Sequence, residues 1–362
     1  MPNGPGRGRP GTSGPLQLSF EEPVYRESDD LVWMSAHLFV KASVYSRASD
    51  MIALDVIEPF VTRCRERRAT QGHFFIRYHE RGPHLRLRLC VARSAARSVA
   101  ESLVEHVHAL APRADVQSWR PEWAPEGSCY YEELVERNCA PIALLGEQAT
   151  SPVNEELVSL RWIPYEPEIE RYGGPDAIDI AHRIFEASSN VALDLLHGLA
   201  TASRSVRLGR ALLLSLATIN IYAEDRKGAS QFAQMYGTGY LRSVAGDTQA
   251  HDAMLHAFQE GFALQADILS GQIEELWRAL SEDVHFSLLG SYPLALRRER
   301  DRLRQLNHAG QVTTSGRPIG DWATCVRRIV PSYLHMSNNR IGVSIAEEAY
   351  LAHLIHWTLA TR

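Results

Sequence analysis

Residues 72–90 read GHFFIRYHERGPHLRLRLC, and this stretch sets the reading of the fold. Two alternating runs flank Glu80-Arg81-Gly82-Pro83, a short link rich in turn formers, which is the pattern of a β-hairpin. Strand side chains alternate between faces. Leu85, Leu87 and Leu89 therefore point to one side, and His84, Arg86 and Arg88 to the other. The apolar row suits a core. The opposite row sets two permanent cations roughly 6–7 Å apart on a rigid element. Guanidinium stays charged in proteins and grips carboxylates through a planar fork, so this row is either a carboxylate ledge or a solvated face in an Arg-rich chain. On the first run Phe75, Arg77 and His79 share a face, and hairpin register decides whether Arg77 joins the ledge.

Upstream, LVWMSAHLFVKASV (31–44) is an extended apolar run, and the apolar positions Met51, Ile52, Leu54, Val56, Ile57, Phe60 and Val61 predict a helix over 48–68. Downstream, 94–111 also reads as a helix. Strand, helix, hairpin and helix make an α+β pattern. Residues 163–172 look extended and end at Gly173-Gly174-Pro175, after which a helix opens. The rest is mostly helical, over 207–223, 229–240, 249–280, 293–307 and 343–360, with a loop at 308–320. The expected architecture is one α+β domain over 21–362, with an antiparallel sheet and a largely helical C-terminal half. Residues 1–20, Gly/Pro-rich and polar, are expected to be a disordered tail. A nominal GxGxxG at Gly6, Gly8 and Gly11 lacks a preceding strand and carries Pro10 where a helix would open, so it is no nucleotide site.

At 362 residues the chain can bury a large core. A formal net charge of −5 argues against a broad basic surface for nucleic acid. Five scattered cysteines (Cys64, Cys90, Cys129, Cys139 and Cys325) show no metal-ligand spacing and read as reduced thiols. The apolar stretch 211–223 is broken by Ser215, Thr218 and Asn220 and is too short for a bilayer. These features predict a cytoplasmic protein without a membrane segment, a metal site or a cofactor.

Two more clusters carry chemistry. Tyr165, Glu166, Glu168, Glu170, Arg171 and Tyr172 precede the diglycine, and a turn at Glu168 would let Glu168 pair with Arg171. Ser332-Tyr-Leu-His-Met-Ser-Asn-Asn-Arg340 places His335, Asn338, Asn339 and Arg340 together. His335 has the side chain suited to shuttling a proton near neutrality.

Three segments in this order, FFIRYHERGPHLRLRL (74–89), YEPEIERYGGPDAIDIAHRIFEASS (165–189) and LHMSNNRIG (334–342), resemble the elimination domain of class I lanthipeptide dehydratases, a family that includes stand-alone thiopeptide biosynthesis proteins. The resemblance runs from Trp33 to Arg362. It implies that glutamate is removed from glutamylated Ser or Thr of a precursor peptide, leaving dehydroalanine or dehydrobutyrine. It also implies Arg88, Glu168, Arg171 and His335 as catalytic residues, with Arg86, His84, Arg77, Asn338 and Arg340 as expected substrate contacts. The implied partners are a ribosomal precursor peptide, leader and core, and a separate glutamylation protein that uses glutamyl-tRNA. Direct contact with nucleic acid is not implied, and oligomeric state stays open. A related pyridine-synthase activity, the formal (4+2) aza-cycloaddition of two dehydroalanines with release of the leader, is the alternative. A non-catalytic adaptor for the precursor peptide is the third reading.

Overall fold

The computed structural model describes residues 30–117, 153–282, 284 and 286–360. The expected tail over 1–20, Cys129 and Cys139 lie outside the described residues. Five strands form one sheet: β1 (Leu31–Val40), β2 (Gly72–Tyr78), β3 (His84–Ala92), β4 (Asp115–Val116) and β5 (Leu157–Trp162). Their order is β2-β3-β1-β5-β4, antiparallel throughout except for the β4–β5 pair. The hairpin is therefore present, and the first strand pairs along its second strand, between β3 and β5.

Register decides which side chains share a face. Leu85 pairs with Arg77 and Leu38, and Leu87 with Phe75 and Ala36. Phe75, Ala36, Leu38, Leu85, Leu87 and Leu89 are all buried. On this side lie α1 (Arg47–Ile52), a π-helical turn (Ala53–Ile57), α2 (Glu58–Glu66) and, after the hairpin, α3 (Ala96–Leu110). Arg77 faces this interior and not the ledge. Its Nη2 donates to Asp50 Oδ1 (2.6 Å), its Nη1 to Val44 O (2.7 Å) and its Nε to Arg340 O (3.0 Å). The expectation that Arg77 contacts substrate is thus corrected: pairing opposite Leu85 turns it into the core.

A short α4 (Val153–Glu156) precedes β5, and the helical half follows as α5 (Ile178–Leu199), α6 (Arg204–Tyr222), α7 (Arg226–Ala245), α8 (Thr248–Ala263), α9 (Ala266–Ser281), α10 (Tyr292–His308), α11 (Trp322–Arg340) and α12 (Ile345–Ala360). The single helix expected over 249–280 is two helices, broken at Leu264–Gln265. A two-strand ribbon, β6 (Thr313–Thr314) and β7 (Arg317–Pro318), occupies the expected loop. The 332–340 cluster also proves to be helical, as the second half of α11, despite Pro331 in its interior. A proline there forfeits one backbone bond. Asp321 caps the helix start by accepting from Thr324 N, and burial of Cys325, Val326, Ile329, Val330, Tyr333 and Leu334 outweighs that loss.

The outer edge of β2 is closed by side chains from two helices. Phe75 N donates to Ser189 Oγ (3.2 Å) on α5. Asn339 on α11 accepts from Arg77 N (2.8 Å) and donates to Arg77 O (2.9 Å), so it stands in for a neighbouring strand. These bonds fix α5 and α11 against the sheet, and the site forms where the three meet.

Candidate active site

On the face opposite the Leu row, Arg88 lies across from Phe74 and Ser35, Arg86 from Ile76 and His37, and His84 from Tyr78 and Phe39. The Arg88 guanidinium packs over two rings, 4.4 Å from the Tyr165 centroid and 5.3 Å from that of Phe74. Its Nε is buried without a hydrogen-bond partner, and no described carboxylate pairs with it. Burial, reinforced by Arg86, lowers its pKa to about 10, against an opposing pull from Tyr165, Tyr172 and Glu168. It stays charged at neutral pH.

Arg86 is held differently. Its guanidinium lies 3.4 Å from the Tyr78 ring centroid, and its Nε donates to His84 Nε2 (3.0 Å). His84 Nδ1 in turn donates to Gly82 O (2.7 Å). Both bonds require a neutral His84 with its proton on Nδ1. Burial, with Arg86 and Arg88 adding to it, lowers the His84 pKa to about 3. His84 is fully buried and stacks on His37 at 4.9 Å, so it orients Arg86 and does not meet substrate, a correction to the sequence expectation.

The second cluster is extended only to Glu168; Ile169–Tyr172 then make one 3-10 turn. That turn brings Arg171 Nη1 to Glu168 Oε2 (3.1 Å) and Oε1 (3.3 Å), the pairing expected from sequence. Arg171 Nε donates to Ser332 Oγ on α11 (2.9 Å). The diglycine makes this docking possible. Gly173 and Gly174 both adopt φ near +93°, and a Cβ on Gly173 would lie 2.8 Å from both Ile329 and Val312.

His335 sits one turn beyond Ser332 on the same helix. Its Nδ1 lies 2.9 Å from Glu348 Oε1, and the other oxygen of Glu348 accepts from Tyr236 OH. Glu348 is fully buried in the first turn of α12. Burial raises its pKa, and His335 and the Tyr236 hydroxyl oppose that shift. A Cβ on Gly237 would meet Ala349 O at 3.2 Å, so this glycine lets α7 approach α12 closely enough for the Tyr236 bond. The Tyr240 ring lies 5.5 Å from the imidazole. The Nδ1 contact with Glu348 leaves Nε2 as the ring nitrogen not engaged by that carboxyl group.

Asn338 and Arg340, expected as substrate contacts, are buried; Arg340 braces the frame, and the Asn338 side chain also hydrogen-bonds Glu348. Asn338 Nδ2 donates to Ser215 Oγ (3.3 Å). Arg340 Nε donates to Ser189 Oγ (2.9 Å) and Nη1 to Met336 O (2.7 Å), while Nη2 is buried without a partner. Burial, with the Arg88 charge adding to it, lowers the Arg340 pKa to about 9; Tyr172 and Tyr292 oppose it.

The four expected catalytic residues thus come together. Arg171 is bonded to the helix turn before His335, and the buried Tyr172 phenol feels the charges of Arg171, Glu168, Arg340 and Arg88. Sequence reasoning missed Ser332, Tyr236, Tyr240 and Glu348. Glu348 stands at helical spacing with Leu351, Ala352 and Ile355, but beside Glu347 in an acidic first turn it carries no sequence signal of burial.

Residues 33–359 match the family model for the C-terminal region of lantibiotic biosynthesis dehydratases. The chain belongs to this family. Membership ties it to lantibiotic-type biosynthesis, with a ribosomal precursor peptide as the implied partner. Similar solved structures include the pyridine synthase TbtD from thiomuracin biosynthesis, at 19% identity and TM-score 0.61, covering 91% of this chain and 97% of that one. TsrL aligns at 16% identity and TM-score 0.62, covering 91% and 94%. The tRNA-dependent lantibiotic dehydratase MibB from Microbispora sp. 107891 aligns at 19% identity and TM-score 0.51, covering 92% of this chain but only 28% of MibB. At these identities the likeness is one of fold. No curated protein matches the chain. Among the described residues no helix is long and apolar enough to cross a membrane.

Chemically, the arrangement combines an imidazole held by a buried carboxyl group, one ion-paired guanidinium and one guanidinium packed between aromatic rings. Such a set suits abstraction of a weakly acidic proton beside stabilisation of developing negative charge.

Proposed function

We propose that the chain eliminates glutamate from glutamylated Ser and Thr residues of a ribosomal precursor peptide. The observation that carries this reading is the His335–Glu348 pair standing one helical turn from the Ser332-anchored Arg171, with Arg88 packed over the Tyr165 ring. His335 Nε2 takes the α-proton of the esterified residue. The electron pair forms the Cα=Cβ bond, the Cβ–O bond breaks, and glutamate departs as a carboxylate. Arg88 and Arg171 hold the negative charge of the glutamyl group and of the enolate-like transition state. Preorganised donors of this kind are worth about 3–4 kcal/mol each. Glu348 stabilises the imidazolium formed, and Glu168 fixes Arg171. In this reading a separate protein installs the glutamyl group from glutamyl-tRNA, and this chain touches no nucleic acid.

A second reading, pyridine synthesis from two dehydroalanines with leader release, is favoured by the near-complete coverage of TbtD. Incubation with glutamylated precursor and, separately, with fully dehydrated precursor distinguishes the two by mass spectrometry. Loss of glutamic acid from the first supports elimination; a pyridine macrocycle with free leader from the second replaces it. No change in either substrate would leave the adaptor reading. Under elimination, His335→Ala accumulates glutamyl adducts, and full dehydration by that variant would remove His335 from the mechanism.

A further inference from the structure

Apart from the residues given a role above, one pocket gathers cations that no acid neutralises. The β6–β7 ribbon and α11 border a pocket of about 450 Å³ lined by Thr314, Ser315, Arg317, Pro318, Ile319 and Arg328. Arg317 and Arg328 are exposed, and neither has a hydrogen-bond or ion-pair partner among the described residues. Arg317 lies opposite Thr314 across the ribbon, so guanidinium and hydroxyl stand on one face. The carboxylate bonded to the ribbon, Glu170, accepts from Ser315 N through Oε2. The pocket thus offers an anion two guanidinium forks and two hydroxyls, beside an apolar wall of Pro318 and Ile319.

Exposed arginines are common on protein surfaces, and it is the position of these two that gives them meaning. The ribbon is docked on the turn that carries Arg171: Thr313 N donates to Gly173 O (2.8 Å). Ser315 and Gly316 reverse it tightly, at φ +49° and +71°. On α11, Arg328, Ser332 and His335 recur at i, i+4 and i+7 and so share one stripe of the helix. Seven residues of rise put Arg328 about 10 Å from His335 along the helix axis. An extended peptide covers that distance in about three residues. A nucleic acid would need a longer cationic track, which two guanidiniums on a chain of formal net charge −5 do not supply. A single carboxylate needs only one or two forks.

We propose that Arg317 and Arg328 bind an aspartate or glutamate side chain of the precursor peptide, about three residues from the residue being processed. This rests on the peptide reacting at His335, as in the reading above. The test uses the full chain and synthetic eleven-residue peptides, otherwise neutral, with one aspartate placed one to five positions to either side of a central O-glutamyl serine. Asparagine at the same place is the control. Glutamate loss is followed by mass spectrometry, and binding by fluorescence anisotropy on labelled copies with plain serine at the centre. Aspartate two to four positions away, on one side only, should bind about 3–10-fold more tightly than asparagine, as expected for two exposed ion pairs. Added salt should shrink that advantage. The double variant Arg317→Gln, Arg328→Gln should erase it and leave binding of the asparagine peptides unchanged. An equal advantage at every position, one that survives in the double variant, or no measurable binding of any peptide would overturn the proposal. Glutamate loss without a positional preference would leave elimination standing and remove the pocket. A positional preference in binding without glutamate loss would keep the pocket and refute elimination.

Discussion

Replacing Asp50 with asparagine should destabilise the fold by several kcal/mol while leaving side-chain volume nearly unchanged. Asp50 is wholly buried between two guanidiniums. Oδ1 accepts from Arg77 Nη2 (2.6 Å) and Oδ2 from Arg207 Nη2 (2.5 Å), and a longer bond joins Oδ1 to Arg207 Nη1 (3.4 Å). The cations are otherwise solvated only by carbonyls, Val44 O and Arg340 O for Arg77, and Ile341 O and Leu199 O for Arg207. In Asp50→Asn the new amide would cancel no charge and would aim an N–H at one guanidinium. Removing one partner of a buried ion pair costs about 3–5 kcal/mol, and here two partners lose their counterion. At about 2–3 °C per kcal/mol, the melting temperature should fall by about 6–15 °C. Urea and thermal unfolding of the two proteins at pH 7.5 measure this. A change within about 1 kcal/mol would refute the argument and mean that the carbonyls alone suffice. The position matters because the same guanidiniums grip the carbonyls of Arg340 and Ile341, which end the helix carrying His335.

Three further outcomes are expected. Glu348→Gln removes the carboxylate that fixes the His335 tautomer, so kcat for glutamate loss should fall about 100-fold or more with KM little changed; near wild-type kcat in a steady-state assay would show that Glu348 is dispensable. His84 and His182 are both held neutral by burial, with Arg88 adding to the effect, at about 3 in the fold. The unfolded chain therefore takes up protons first as pH falls from 6.5, and stability present above that pH is lost at up to about 3 kcal/mol per pH unit towards pH 3; a flat urea midpoint between pH 7 and 5 would contradict this. Gly173→Ala sets a Cβ against Ile329 and Val312 at φ +94° and should cost about 2–4 kcal/mol in unfolding free energy, read from urea midpoints; a neutral result would mean the turn relaxes without strain.

The α+β architecture, the hairpin and the Glu168–Arg171 pair were legible because each depends on local pattern. Alternation of Leu and Arg over 84–89 has only one strand reading, and three residues separate the paired charges. Arg77 was not assignable, because its side depends on hairpin register, and opposite Leu85 it turns inward. The helix around His335 was obscured by Pro331, whose local cost is overcome by tertiary burial that no window of sequence contains. Asn339 likewise reads as a loop residue, yet it completes the edge of a strand 262 positions away. Glu348 reads as surface in an acidic first turn, and only the approach of α7 at Gly237 makes it the buried partner of His335.

Fold alone does not choose the reaction, since TbtD and MibB share it at 19% identity each. The choice falls to the charges. Joining two dehydroalanines brings together neutral side chains, whereas the proposed elimination would present a carboxylate to Arg88 and Arg171. His335 is held through Nδ1 by the buried Glu348 side chain. An imidazole poised in this way suits a step that begins with proton removal from carbon. Under the elimination proposed above these groups have a use that the shared backbone alone does not supply.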